Sequence, residues 1–324
     1  MLQLKYLLHD RDRALSILSR WNYDESQPAL MERFRISSNA VYAFTHEGVI
    51  HFLRFAHEEE KSREQILAEL EFLRYLNANG YPCLRPVVSK YGNEVEVVDT
   101  PAGRYYATVF LGVPGKSLGN QPITADMLYG WGKQMGLLHR LSKDYTPENY
   151  RRVDHEGKLK WMAEVLATFP DEKLARTELK IVNDWLAKLP RTKDHYGLIH
   201  YDFELDNVFY CEDTKKFHII DFDDAAYHWF ALDVTNALAS YEGDNPHLAL
   251  EQFIAGYRTE HVWDEQWLAL MPGFTRYQLL YGYVRIIRST QDKSFGEEPD
   301  WMAGLRQKLA KLCKERSANF GKEI

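Results

Sequence analysis

Cysteine is scarce: Cys83, Cys211 and Cys313 are the only three in 324 residues, each more than a hundred positions from the next. An odd number without a C-x-x-C pair gives no basis for a disulfide framework or a zinc site. Long apolar runs are lacking too, since none approaches the roughly 20 residues needed to cross a bilayer. The opening stretch MLQLKYLLHDRDR interrupts its short apolar segment with Lys5, His9, Asp10 and Arg11, which is unlike a signal peptide. No block of one charge sign is present: 40 Lys and Arg face 47 Asp and Glu, a net charge of −7, so a surface that coats nucleic acid is not expected. There is no glycine-rich G-x-G-x-x-G, no internal repeat and no low-complexity tract. What is present is a 45% hydrophobic, 27% charged composition able to bury a sizeable core. These features describe a soluble, cytoplasmic globular protein with neither nucleic acid nor membrane as partner. Its length suits two units of roughly 150 residues.

The first third alternates. Glu32 to Ile36, Val41 to Phe44 and Val49 to Phe55 have the period of two expected of strands, with His46-Glu47-Gly48 as a turn. Ser62 is placed to cap a helix carrying Ile66, Leu70, Leu73 and Leu76 on one face, which Gly80 should end. Glu94–Asp99 and Arg104–Leu111 follow as strands. The economical arrangement is an antiparallel sheet with one helix. Gly112-Val113-Pro114-Gly115 is the expected hinge, dividing a lobe of residues 1–111 from one of 112–324. The second lobe should be mainly helical, beginning at a Thr124 cap. It is interrupted by two β-like pieces, Val208–Tyr210 and Phe217–Ile220, around the turn Glu212-Asp213-Thr214. The fold class expected is α+β and bilobal.

Chemistry concentrates around that interruption. His200 and Asp202 form H-x-D, Asn207 follows Asp202 by five positions, and Asp221 ends an apolar run fourteen residues later. Phosphoryl transfer needs a carboxylate to orient and deprotonate the attacking hydroxyl, and oxygen ligands to hold Mg²⁺ against nucleotide phosphates. Asp202 suits the first task; Asn207 and Asp221 suit the second. A hairpin between Val208 and Ile220 would return Asp221 to the side of Asn207. A metal-hydrolase reading of His200, Asp202 and Asp221 finds no further His or Glu set to complete it.

The segment His200-Tyr201-Asp202-Phe203-Glu204-Leu205-Asp206-Asn207, followed by Ile219-Ile220-Asp221-Phe222-Asp223, resembles the aminoglycoside phosphotransferase and choline kinase family. That family shows H-G-D-x-x-x-x-N and then I-D-[FW]-[DE] on a protein-kinase-like fold. The resemblance extends from about Glu32 to Tyr283. It implies Asp202 as base, Asn207 and Asp221 as metal ligands, His200 as a brace, and ATP with Mg²⁺ as cofactors. Tyr201 departs from the usual Gly, and Asp206 stands where Gly is common.

The resemblance also implies a strand cation paired with a helix carboxylate near the phosphates. Arg54, where Lys is usual, and Glu69 fill those places, with Glu64 and Glu71 as alternative partners. Ser37, Ser38 and Asn39 lie where a loop would cover the nucleotide. Adenine is expected between the lobes against Val109, Phe110 and Leu111. His139 should be a satisfied core residue, and Asp233 should cap a helix and brace the catalytic loop.

The acceptor is expected to be a small molecule bearing a hydroxyl. Tyr227, Trp229, Tyr241, Tyr257, Trp263 and Trp267 with Glu242, Asp244 and Glu260 would suit a cation such as an aminoglycoside or amino alcohol. Arg285 and Arg288 would equally suit a carboxylate or phosphate. A Ser/Thr protein kinase of the same fold and a catalytically silent nucleotide-binding module are the alternatives. No D-F-G to A-P-E activation segment supports the former, and the presence of Asp202, Asn207 and Asp221 counts against the latter.

Overall fold

Alternation over residues 34–57 and 96–111 builds a six-stranded antiparallel sheet in this computed structural model, which describes residues 3–6, 10–26, 34–36, 39–292 and 298–322. The strands are β1 (Phe34–Ile36), β2 (Ala40–His46), β3 (Val49–His57), β4 (Pro86–Val87), β5 (Glu96–Thr100) and β6 (Gly103–Leu111). Their order is β1-β2-β3-β6-β4, with β5 also paired to β6. Glu32 and Arg33, where the first strand was expected to begin, lie outside the described residues. Glu47 and Gly48 make the expected turn with φ of +52° and +74°. Two left-handed residues match the twist of the strands they join. The Asp24 carboxylate accepts both turn N–H groups at 3.1 and 3.3 Å.

The two faces of this sheet carry different burdens, because successive side chains point opposite ways. Tyr42, Leu53, Phe55 and Val109 pack with Ala14, Ile17 and Leu18 of α1 (Arg11–Leu18) and with Trp21 in a separate buried cluster. Val41, Phe52, Arg54 and Phe110, at the neighbouring positions, line a cleft between the lobes. Helix α1 is an addition to the one helix anticipated in this lobe.

That anticipated helix is α2 (Arg63–Ala78), and it begins at Ser62 as expected. Ser62 Oγ accepts the Gln65 N–H at 3.2 Å, while Gln65 Oε1 accepts the Ser62 N–H at 2.9 Å, a reciprocal cap. Gly80, at φ +75°, follows its end. Leu70, Leu73 and Leu76 belong to the main hydrophobic core rather than to the cluster under α1. Phe72 packs on Tyr145 and Phe222 with ring centroids 4.9 and 6.0 Å away. Helix α2 is therefore anchored to the second lobe, which fixes the height of Glu69 above the catalytic loop.

Beyond residues 112–115 the chain forms β7 (Lys116–Ser117), α3 (Ala125–Asp144), α4 (His155–Ala167) and α5 (Lys173–Leu186). Thr124 Oγ1 accepts the Met127 N–H at 3.3 Å, the expected cap of α3. Then come β8 (Tyr196–Ile199), β9 (Val208–Cys211), β10 (Lys216–Ile219) and β11 (Ala226–Trp229). The helices α6 (Phe230–Ala239), α7 (Pro246–Tyr257), α8 (Gln266–Ser289) and α9 (Trp301–Arg316) close the lobe. Helices α3 and α7 meet through glycine: a Cβ on Gly132 would lie 1.9 Å from the Phe253 carbonyl oxygen, and one on Gly256 1.9 Å from that of Tyr129. Strands β9 and β10 are the expected hairpin, with Val208 opposite Ile219. Strands β8 and β11 pair with Ile199 opposite Ala226, a contact between distant segments that the local pattern did not announce. No helix among the described residues is long and apolar enough to cross a membrane.

Candidate active site

The β9–β10 hairpin sets the first piece of geometry. The Ile220 N–H donates to the Asn207 carbonyl at 3.0 Å, so Asp221 emerges beside Asn207 although fourteen residues separate them. Asn207 Nδ2 donates to both the backbone oxygen and Oδ2 of Asp202, at 2.9 and 3.0 Å. Asp202, Asn207 and Asp221 are thus held together.

The loop carrying Asp202 is braced from beneath by α6. Asp233 Oδ2 accepts the His200 N–H at 2.9 Å, and its Oδ1 accepts the Tyr201 N–H at 2.8 Å. Asp233 lies inside the first turn of α6 and gives it no side-chain cap, so the expected capping role is corrected while the bracing role stands. His139, on α3, meets Asp233 Oδ2 through Nε2 at 3.1 Å and the Tyr257 hydroxyl through Nδ1 at 2.7 Å, a satisfied core histidine. His200 Nε2 donates to the Ile220 carbonyl at 2.9 Å, which leaves Nδ1 to accept the Asp202 N–H at 3.3 Å. Burial pushes the His200 pKa down, so the ring is a neutral strut.

Tyr201 explains why glycine is common at its position. Its φ is +77°, a region that costs an ordinary side chain energy. Four interactions hold it there: the Asp233 bond, a hydroxyl–hydroxyl bond to Tyr277 at 2.9 Å, the Asn236 amide on its carbonyl at 2.9 Å, and Lys158 Nζ 4.5 Å above its ring. Asp221 is also left-handed, at φ +63°. Strain of this kind gathers where surrounding structure over-determines a functional loop.

Arg54 and Glu69 meet as the resemblance implied. Arg54 Nη1 and Nη2 donate to Glu69 Oε1 and Oε2 at 2.9 and 2.7 Å, a bidentate pair, and the guanidinium stacks 4.8 Å from the Phe110 ring. Glu69 is fully buried and Arg54 nearly so. Burial alone would push the Glu69 carboxyl up, yet the Arg54 charge and hydrogen bonds hold it below its ordinary value. The alternatives are excluded: Glu71 accepts the backbone N–H groups of Glu148, Asn149 and Tyr150, and Glu64 sits in the exposed first turn of α2.

Two cavities lie near the loop that carries Asp202, which itself lines neither. The first, of about 420 Å³, lies under the sheet, with Val41, Leu84, Phe110, Phe209 and Ile220 as apolar walls and Arg54, Asn207 and Asp221 at its polar end. This is the size and lining of a small-molecule site. Asn39 is buried and borders it; Ser37 and Ser38 lie outside the described residues. The Leu111 N–H donates to the Arg85 carbonyl at 3.0 Å, and its neighbours Phe110 and Val113 line the cleft. The second cavity, of about 370 Å³, is bordered by Asp223 and Asp224, α4 and α8, and is strongly charged.

Asp202 feels both. Its pKa is raised to about 6 by burial and by the charges of Asp224 and Asp221, with Arg285 opposing. Burial likewise raises the pKa of Asp221, helped by Glu69 and Asp224 and opposed by Arg54. A carboxylate so crowded by others is a fit place for a cation, and Asn207, its nitrogen spent on Asp202, has its amide oxygen left as acceptor. Among the described residues no three His, Cys, Asp or Glu are arranged to hold a metal unaided. A cation at Asn207 and Asp221 would take further ligands from a bound nucleotide. Sequence reasoning missed Lys61, which pairs with Asp223 and whose pKa burial lowers to about 7, and Arg152, which is buried beside it. No local motif marks either residue.

Comparison with known proteins agrees with this geometry. A sequence profile described as the phosphotransferase enzyme family matches residues 32–270. The amicoumacin kinase of Bacillus subtilis (strain 168) is 26% identical over 326 residues, spanning 94% of each chain. The solved structure of amicoumacin kinase hAmiN in complex with AMP-PNP, Ca²⁺ and Ami superposes with a TM-score of 0.77 at 24% identity, covering 98% of this chain and 95% of that one. A microcompartment-associated aminopropanol kinase superposes with a TM-score of 0.70 at 19% identity, covering 96% and 97%.

Proposed function

The chain belongs to the phosphotransferase enzyme family and transfers a phosphoryl group to a hydroxyl of a small molecule; within that activity we propose that ATP with Mg²⁺ is the donor and Asp202 the base. The observation that carries this reading is the position of Asp202, tied through Asn207 to the nucleotide cleft and within electrostatic reach of Asp224 and Arg285 on the second cavity.

Adenine lies between Val41 above and Phe209 and Ile220 below, with its phosphates directed to Arg54. Glu69 fixes the Arg54 fork so that its charge is pre-set rather than recruited. Asn39 contributes from the covering loop, with Ser37 and Ser38 beside it in sequence. Asn207 and Asp221 hold Mg²⁺, which when bound neutralises charge on the phosphate oxygens. Asp202 accepts the proton of the attacking hydroxyl, and a pKa of about 6 leaves it ionised at neutral pH yet basic enough to act. The acceptor enters from the second cavity, as a small hydroxyl compound of the general kind on which the relatives named above act. Residues 1–111 form the nucleotide lobe and 112–324 the catalytic and acceptor lobe.

The test is acceptor-dependent release of ADP from MgATP across a panel of small hydroxyl compounds. The expected result is release that needs both the acceptor and the divalent cation. Release indifferent to every acceptor, or nucleotide binding abolished by Asp202→Asn, would contradict the assignment.

A further inference from the structure

The second cavity is lined by six cations, Lys61, Arg151, Arg152, Lys158, Arg285 and Arg288, against four carboxylates, in a chain whose net charge is −7. The carboxylates are all engaged. Asp223 pairs with Lys61, Asp224 with Arg285 at 2.9 Å, and Glu60 with Arg288 at 2.9 Å. Glu59 accepts the Tyr6 hydroxyl at 2.6 Å and faces Lys5 at 3.4 Å. Lys61, Arg285 and Arg288 are matched in this way; Arg151, Arg152 and Lys158 are not. Arg152 is 8% exposed, yet its guanidinium donates only to backbone carbonyls: Ala225 at 2.7 Å, Gln65 at 2.9 Å, and Asp223. Arg151 lies 4.7 Å over the Tyr227 ring, and neither arginine has a carboxylate partner among the described residues. Lys158 is buried, 3.1 Å from the Tyr281 hydroxyl and 4.0 Å from Asp224, a carboxylate already bonded to Arg285.

A guanidinium taken out of water with no carboxylate bonded to it is costly: the carbonyl dipoles and the more distant charges of Glu69 and Asp224, each already bonded to another arginine, offset only part of the cost. We infer that this cavity receives an anionic group, a carboxylate or a phosphate, so that the acceptor is a hydroxyl compound carrying negative charge, held by Arg152 with Arg151 and Lys158. The inference rests on the kinase reading, because it places that group on the acceptor side of Asp202. A purely cationic acceptor would find every carboxylate of the cavity occupied and would have to displace a protein cation to reach one.

Trp161 lines the same cavity and supplies a local reporter. The full chain is labelled with 5-fluorotryptophan, the Trp161 resonance is assigned by its loss in Trp161→Phe, and the nucleotide cleft is filled with AMP-PNP and Mg²⁺. Sodium phosphate, sodium acetate and propylammonium chloride are then titrated separately at constant ionic strength. The expected result is a saturable shift of the Trp161 resonance with phosphate or acetate, whichever matches the acceptor's group, and none with propylammonium. Arg152→Gln should weaken that binding at least tenfold. Should Arg152→Gln fail to fold, Arg151→Gln and Lys158→Gln, which remove no bond to a backbone carbonyl, should each weaken it several-fold. A shift with propylammonium alone, no shift with any probe, or anion binding unaltered in the folded variants overturns the inference. Failure with AMP-PNP bound leaves the kinase reading standing, whereas a wild type that never binds AMP-PNP overturns that reading instead.

Discussion

The two cavities beside Asp202 are built in opposite ways. The cleft proposed for the nucleotide is walled largely by apolar side chains, with Arg35, Arg54, Asp206 and Asp221 as its charged residues. The other cavity sets ion pairs from the segment before α2, the residues after Asp221 and α8 beside the arginines Arg151 and Arg152 at the entry to α4, which have no carboxylate bonded to them among the described residues. An apolar cleft binds by excluding water and suits a flat base common to many enzymes. A cavity of paired charges binds little until a ligand completes its balance, which is how a site discriminates. In the proposed reading, generic donor recognition and particular acceptor recognition therefore occupy different physical settings, with Asp202 linked to both.

Asp202→Asn is the strongest way to break this comparison. The variant should lose about 10²–10⁴ in kcat, the usual contribution of a general base, while the Kd for AMP-PNP measured by calorimetry stays unchanged. Burial also raises the Asp202 pKa, so the folded protein holds a proton that the unfolded chain has released between the ordinary carboxylate value and about 6. Stability is lost as pH rises through that window. Asp202→Asn should accordingly raise the Tm above pH 6, read by calorimetry at pH 8.

Asp221→Asn sharpens the comparison by acting on the cleft, and on Asp202 only through the charge it removes. It should abolish most activity and raise the Mg²⁺ concentration needed for half-activation, with the acceptor KM little changed. Asn207→Ala should be milder, since a neutral amide contributes less to a divalent cation than a carboxylate. Metal titrations identical to wild type in both variants would move the metal elsewhere.

The Arg54–Glu69 pair comes next. Each single alanine variant takes from a buried charge its bidentate partner and should cost about 3–5 kcal/mol of stability, and Arg54→Ala should also raise the ATP KM. Arg54→Lys should keep part of the function, because the charge survives and the fork does not. The double variant should be non-additive in urea unfolding by about 0.5–3 kcal/mol; additivity would mean the two residues act separately. Tyr201→Phe should have the smallest effect, about 1 kcal/mol, by removing one buried hydroxyl bond to Tyr277.

What could be read from the sequence follows how local each feature is. Ser62, Thr124 and the Glu47-Gly48 turn are fixed by bonds within a few residues, and each was legible. Asp202, Asn207 and Asp221 were legible because one hairpin joins them, whereas Arg54 with Glu69 came from the family resemblance, their separation of fifteen positions only allowing it and leaving Glu64 and Glu71 open. Helix α1 carried its own signal, Ala14, Ile17, Leu18 and Trp21 at helical spacing, but lies in a charged stretch and buries them only against the sheet. The β8–β11 pairing, the Lys61–Asp223 bond and the cradle of carbonyls around Arg152 join segments far apart in the chain. Nothing in a short window announces them. The bond from the Leu111 N–H to the Arg85 carbonyl is of the same long-range kind.

The pH dependence of kcat/KM, measured for the wild type and for the residual activity of Asp202→Asn, tests most directly whether Asp202 is the base between these cavities. The account predicts that wild-type kcat/KM falls tenfold per pH unit below about 6, as the carboxylate takes up a proton, and that this limb vanishes in the variant. A wild-type profile flat between pH 5 and pH 8 (roughly the span over which such a group titrates), or the same limb in Asp202→Asn, would contradict it.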